Sequence, residues 1–136
     1  MNEKDYGAIK IAIKGGRRSF INSACKRRNV NARNPSGVPI LIWAVKEKKL
    51  MGIKTLLRRG ADINIKDTDG RTPLMYAVTR EGVEVVLLLC SPKYRDRIDI
   101  NATDNDGWTA MNFALVNGNT DAVLILEKHG GKKGTF

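Results

Sequence analysis

The sequence predicts an all-α solenoid of stacked antiparallel helix pairs joined by β-turn loops, and three observations predict it. The segments SGVPILIWAV (36–45), DGRTPLMYAV (69–78) and DGWTAMNFAL (106–115) align without gaps, so Gly37, Gly70 and Gly107 recur at spacings of 33 and 37. A second marker closes the turn before each segment: Asn31, Asn64 and Asn101, in NVN, GADIN and IDIN, keep the same two spacings. Apolar residues then recur at helical spacing in two short runs per repeat. A fixed period of this length changes the meaning of every local pattern inside it, so each motif is read in its repeat context.

Four units follow, at 4–32, 33–65, 66–102 and 103–131, with 131–136 as a flexible tail, all within a single domain. The first, YGAIKIAIKGGRRSFINSACKRRNVN, keeps only helical spacing and the closing Val-Asn. Its charges, including Lys4, Lys10, Lys14, Arg17 and Arg18, suit the polar outer side that a terminal unit needs. In the second unit, Ile53, Leu56 and Leu57 supply the inward stripe of the second helix. In the third, Gly70 frees the backbone for a tight turn and Asp67 can bond local amides. Thr72 is a good N-cap, and Pro73 suits the first helical position because the N–H it lacks would be unsatisfied there. Leu74, Ala77 and Val78 face inward from that helix, and Val85, Val86, Leu88 and Leu89 from the next. The four extra residues fall in SPKYRDRID (91–99), which reads as an exposed loop. In the last unit Val123, Ile125 and Leu126 repeat the stripe, while small Ala44, Ala77 and Ala114 let neighbouring helices approach closely.

The pattern resembles the ankyrin repeat, a unit of about 33 residues with a turn, two antiparallel helices and the signature T-P-L-H-x-A. DGRTPLMYAV followed by GVEVVLLL is the closest copy, with Met75 where the family has His; Pro39-Ile40 and Thr109-Ala110 depart further. The resemblance implies a non-catalytic protein–protein interaction module that binds through a concave face of turn tips and first helices.

Composition excludes other classes. The 136 residues are 42% hydrophobic and 28% charged, which suits one domain with a modest core and a monomer. No apolar run approaches the roughly 20 residues of a membrane span, and the Lys-interrupted start lacks a secretory peptide's apolar region. A cytoplasmic location is expected, with secretion by a route that needs no such peptide as the alternative. Cys25 and Cys90 have no ligand spacing and align two units apart, too distant for a disulfide. If Gly70 were position 6 of an EF-hand, positions 1 and 12 would be Ile65 and Tyr76; with Gly107 they would be Ala102 and Phe113. No phosphate loop or nucleophile elbow occurs. The lone His129 suits a helix C-terminus, and the carboxylates lie in turns. Neither metal, cofactor nor enzymatic activity is expected.

Two surfaces stand out. Trp43, Tyr76 and Phe113 share one first-helix position and form an aromatic ladder, suited both to interrepeat packing and to anchoring a partner. At the turn tips the framework holds while chemistry varies: Val38, then Asp69 and Arg71, then Asn105, Asp106 and Trp108. Lys46, Thr79, Arg80 and Asn117 extend that rim. The second surface is basic. The net charge is +10, with 15 Lys+Arg against 3 Asp+Glu in residues 1–60 and 9 against 11 in residues 61–136. Lys26, Arg27 and Arg28 align with Arg58 and Arg59 at second-helix ends, joined by Arg17, Arg18, Lys48, Lys49 and Lys54. Such cations complement helix dipoles, and they also attract acidic protein, anionic lipid or nucleic acid. An acidic protein surface ranks first, because the basic half lacks the aromatic interleaving of single-strand binders; the alternative is an electrostatic binder of nucleic acid or anionic membrane. Asp62-Ile63-Asn64, preceded by Leu56, resembles the sites that asparaginyl hydroxylases modify in ankyrin proteins, with Asn64 as acceptor.

Overall fold

The computed structural model describes residues 3–79 and 83–134. Among them lie eight helices: α1 (Glu3–Gly15), α2 (Arg18–Ala24), α3 (Ile40–Lys46), α4 (Leu50–Arg58), α5 (Pro73–Ala77), α6 (Glu84–Leu89), α7 (Ala110–Val116) and α8 (Thr120–Lys128). Each odd-numbered helix packs on the even-numbered one that follows it. The first helices also pack in a row, α1 on α3, α3 on α5 and α5 on α7, while α2 packs on α4 and α6 on α8. The architecture is the expected all-α ankyrin-type solenoid.

Local chemistry sets the helix starts. Thr72 is extended at the N-cap of α5, its hydroxyl oxygen accepts from the Met75 N–H at 3.4 Å, and Pro73 fills the first helical position. Met75, standing in place of histidine, receives the Thr72 N–H on its sulfur at 3.5 Å. In the last repeat Asn112 does the reciprocal work, accepting the Thr109 N–H at 3.0 Å. Without such partners the first N–H groups of a helix stay unsatisfied.

Each turn tip is a short hairpin built the same way. The N–H groups of Asn34, Asp67 and Asp104 donate to the carbonyls of Val38, Arg71 and Trp108, at 3.0, 3.0 and 2.8 Å. The side chains of the same three residues accept from amides inside the turn, Asp67 from Asp69 and Arg71, Asp104 from Asp106 and Trp108. Gly70 sits at φ +77°, and a Cβ there would lie 2.5 Å from Asn105 Oδ1 in the next turn, so both conformation and space demand glycine.

The core runs continuously through all four units. Ile9, Ile21, Ile40, Leu41, Ile53, Leu56, Leu89 and Leu126 are completely enclosed, each stabilising by roughly 1.5–3 kcal/mol relative to exposure. The inward stripes of α4, α5 and α6 are buried as expected, apart from half-buried Leu88; Ala44, Ala77 and Ala114 form a buried column. In α8 Ala122 and Leu126 are fully buried, while Val123 and Ile125 of the expected stripe are half-buried. Cys25 and Cys90 are buried and free, and burial pushes both thiols up to about 11.

Three details differ from the expectations. The first unit's outer side is not purely polar: Ile11 and Phe20 are 73% and 55% exposed over a shallow hollow lined by Ala8, Ala12 and Ala24. The reason lies in α1, which carries isoleucine on both sides, Ile9 and Ile13 inward and Ile11 outward. The lengthened segment 91–99 is exposed at most positions, but Tyr94 is buried and half-buried Ile98 packs beside it, tying the segment to the core. The tail is tethered as far as it is described. The Lys132 N–H donates to Asn101 at 2.7 Å, the Lys132 carbonyl accepts from the Thr109 hydroxyl at 2.6 Å, and the Gly134 N–H reaches Asn112 at 2.8 Å.

Candidate functional site

The register that repeats every unit places Trp43, Tyr76 and Phe113 on α3, α5 and α7, and all three rings are half-buried along one side of the row. Each ring is covered by a cation from the unit before it. Lys10 Nζ lies 5.4 Å from the Trp43 ring centre, Lys46 Nζ 5.1 Å from Tyr76, and the Arg71 guanidinium 5.3 Å from Phe113. These distances are within cation–π range. Trp108 closes the column, its ring 5.1 Å from Phe113 and tilted by 47°. The column is thus both packing and surface: each ring is half-buried against the core, and a cation lies over it.

Sequence reasoning missed Lys10 as part of this face and assigned it to the outer cap. The signal was present, because residue 10 is 33 before Trp43 and so occupies the first unit's copy of the aromatic position.

Around Tyr76 the polar groups interlock. Its hydroxyl donates to Asp67 Oδ2, and burial together with the adjacent Asp67 carboxylate pushes the phenol up to about 12. Arg71 Nε is buried and makes no hydrogen bond, but lies 3.7 Å from Asp104 Oδ2, a Coulombic contact between neighbouring turns. Asp67 and Asp104 therefore hold turns, rings and each other's neighbours. Asp69 and Asp106 are exposed at the tips.

The remaining predicted rim residues divide. Val38 is half-buried against the core. Asn105 bridges turn tips, its N–H donating to the Asp69 carbonyl and its side-chain amide to Thr68, each at 3.0 Å. Thr79 donates its hydroxyl to the Tyr76 carbonyl at 2.7 Å, and Asn117 its amide to the Phe113 carbonyl at 2.7 Å, so both finish their helices. Arg80 lies outside the described residues.

The basic residues do not form one patch. Lys48 and Lys49 sit before α4, whereas Arg58 and Arg59 lie at its far end, a helix of 9 residues or about 13 Å away. Lys26 and Arg28 are exposed beyond α2, Lys54 is exposed on α4, and Arg18 is exposed at the start of α2. Arg17 lies 5.4 Å over the Phe20 ring. Arg27, Arg58 and Arg59 come together around one hollow.

Asn64 is half-buried and engaged at both ends of its amide. Its oxygen accepts the Asp99 N–H and its nitrogen donates to the Arg97 carbonyl, each at 2.8 Å. Asn31 and Asn101 latch onto the following unit in the same way, through Asp62 and Lys132. The recurring asparagine is an interrepeat latch. His129 caps the C-terminus of α8. Among the described residues no acidic, histidine or cysteine cluster is arranged to hold a metal, and no helix is long and apolar enough to cross a membrane.

Comparison with known proteins agrees with the geometry. A family model described as ankyrin repeats in three copies matches residues 1–89 and 41–135. Over 76 residues the chain is 40% identical to an ankyrin repeat protein of fowlpox virus (strain NVSL), an alignment that covers 56% of this chain and 37% of that protein. With the turn hairpins, stacked helix pairs and repeat markers all in register, this chain belongs to the ankyrin-repeat family, whose members are in general protein–protein interaction modules.

Proposed function

We propose that the domain is a non-catalytic module that binds another protein across the column Trp43, Tyr76 and Phe113 and the turn tips beside it, and that the bound surface is acidic. One observation carries this reading: every ring of the column lies half-buried beneath a cation, Lys10, Lys46 or Arg71. Half-exposed Trp and Tyr, together with Arg, are residue types that supply interface energy once desolvated. The cations add attraction for carboxylates and speed encounter with an acidic partner.

The variable tips give selectivity. Val38, Arg71 and Trp108 share one tip position and differ from unit to unit while the hydrogen bonds beneath them repeat, so chemistry changes there without disturbing the fold.

The test is affinity capture from the native cell by the full chain and by an Arg71→Ser/Trp108→Ser variant, with partners identified by mass spectrometry. Loss of two anchors at about 2 kcal/mol or more each lowers affinity by over a hundredfold, so a specific acidic partner disappears from the variant's capture. A thermal melt of the variant confirms folding. The same partner retained at equal yield moves the binding face away from the column.

A further inference from the structure

We infer that the opposite ends of the second helices form a discrete binding site for a compact polyphosphate anion, a ligand carrying two or more clustered phosphate groups. The site is a hollow of about 440 Å³ walled by Arg27, Arg58, Arg59, Lys93 and Arg97, with the Tyr94 ring at its base. Five cations surround it and no carboxylate lines it. Among the described residues, none of the five is paired with an acidic side chain.

The walls come from three successive units: the repeat register aligns Arg27 with Arg58 and Arg59, and the tertiary structure adds Lys93 and Arg97. Arg27 follows α2, and Arg58 and Arg59 end α4. Lys93 and Arg97 belong to the segment 91–99 that holds the four extra residues, anchored there by buried Tyr94. Lys93 Nζ and the Arg97 guanidinium lie 5.7 and 5.3 Å from the Tyr94 ring, so one aromatic organises both. On the other wall Asn22 holds Arg58 Nη2 at 2.8 Å through its side-chain oxygen and Arg59 Nη2 at 3.5 Å through its carbonyl. The Arg97 backbone is fixed by Asn64, whose amide donates to its carbonyl at 2.8 Å.

Helix-dipole complementarity accounts for Arg58 and Arg59, which terminate α4. It does not account for Lys93 and Arg97, which come from an irregular segment and still converge on the same hollow. Like charges fixed around a concavity focus a positive potential and repel one another until a multivalent anion enters. Guanidinium groups match phosphate oxygens in pairs, and four arginines converging from three units suit several phosphates better than one carboxylate. An adjoining hollow shares Tyr94 and Arg97 and reaches Asp62 and Asn64, so the anion is confined to the arginine side.

Inorganic tripolyphosphate is the probe, titrated calorimetrically into the full chain at low and moderate salt. One saturable site is expected, weakened tenfold or more by Lys93→Ser/Arg97→Ser and by Arg27→Ser/Arg58→Ser. The variant Lys48→Ser/Lys49→Ser removes the same charge from the other end of α4 and is expected to change affinity less than twofold. Circular dichroism confirms that each variant is folded, and the two pocket variants alter different units, so the result stands if one fails to fold. A second arm uses vesicles containing phosphatidylinositol 4,5-bisphosphate. Binding lost in the pocket variants alone puts the phosphates on a lipid headgroup, and tripolyphosphate binding without vesicle binding makes the ligand a soluble anion. Absence of saturable binding, or equal weakening in all three variants, overturns the site in favour of diffuse electrostatics.

Discussion

Replacing Asn64 by alanine removes the latch between the second and third units. The wild-type amide accepts the Asp99 N–H and donates to the Arg97 carbonyl, both at 2.8 Å. A net hydrogen bond contributes about 0.5–1.5 kcal/mol, and the freed groups lie near solvent where water can replace the partner, so about 2 kcal/mol is expected for the pair. Unfolding entropy of about 2.1 cal/mol/K per residue gives about 290 cal/mol/K for a chain of 136 residues. The midpoint then falls by about 7 °C. Asn101→Ala breaks the corresponding bonds to Lys132 and Gly130, but these hold only the terminal segment. Repeat stability is a sum of unit and neighbour terms, so damage at an end frays while damage in the middle uncouples. A fall of about 3 °C is expected for Asn101→Ala. Thermal and urea melts followed by circular dichroism check both values. An Asn64→Ala midpoint within about 1 °C of wild type, or a larger fall for Asn101→Ala, refutes the latch.

Two more outcomes follow from the turn and the column. Gly70→Ala is expected to destabilise by about 1–3 kcal/mol more than Gly60→Ala in urea melts: both glycines have positive φ, but only the Gly70 Cβ meets a neighbour, 2.5 Å from Asn105 Oδ1. Equal costs for the two variants would assign the effect to conformation alone. Tyr76 is held protonated up to about 12 in the folded chain, against an ordinary phenol near 10. Because the folded value is the higher, its contribution to stability is complete below pH 10 and is lost as pH rises towards 12. Burial raises Tyr6 as well, so an ultraviolet titration should show a late phenolate amplitude that Tyr76→Phe lowers by one phenol; an unchanged late amplitude refutes the assignment to Tyr76.

The repeat frame was legible because stacking leaves local traces. Thr72 and Pro73 favour a helix start just ahead of an apolar stripe, and Gly70 is required by φ, so their roles follow from the chain near them. The latch asparagines show in spacing alone. The site was only half legible. Trp43, Tyr76 and Phe113 could be aligned, but the cations above them could not, since Lys46 and Arg71 reach rings of the following unit and Lys10 was assigned to the cap.

By itself, then, the sequence determined the unit, its register, its helix starts and its buried stripes, since these depend on residues within a few positions of each other. Tertiary structure alone decided which charges meet. Lys48 and Arg58 are ten residues apart and end up at opposite ends of a helix, whereas Arg27 and Lys93 are 66 apart and share one hollow. The physical reason is that stacking converts a spacing of one repeat into a near-neighbour contact, while helical rise carries nearby residues away from each other. Tyr94, buried among exposed neighbours, fixes where the inserted segment turns, and its packing onto the core is set by units that the local sequence does not contain.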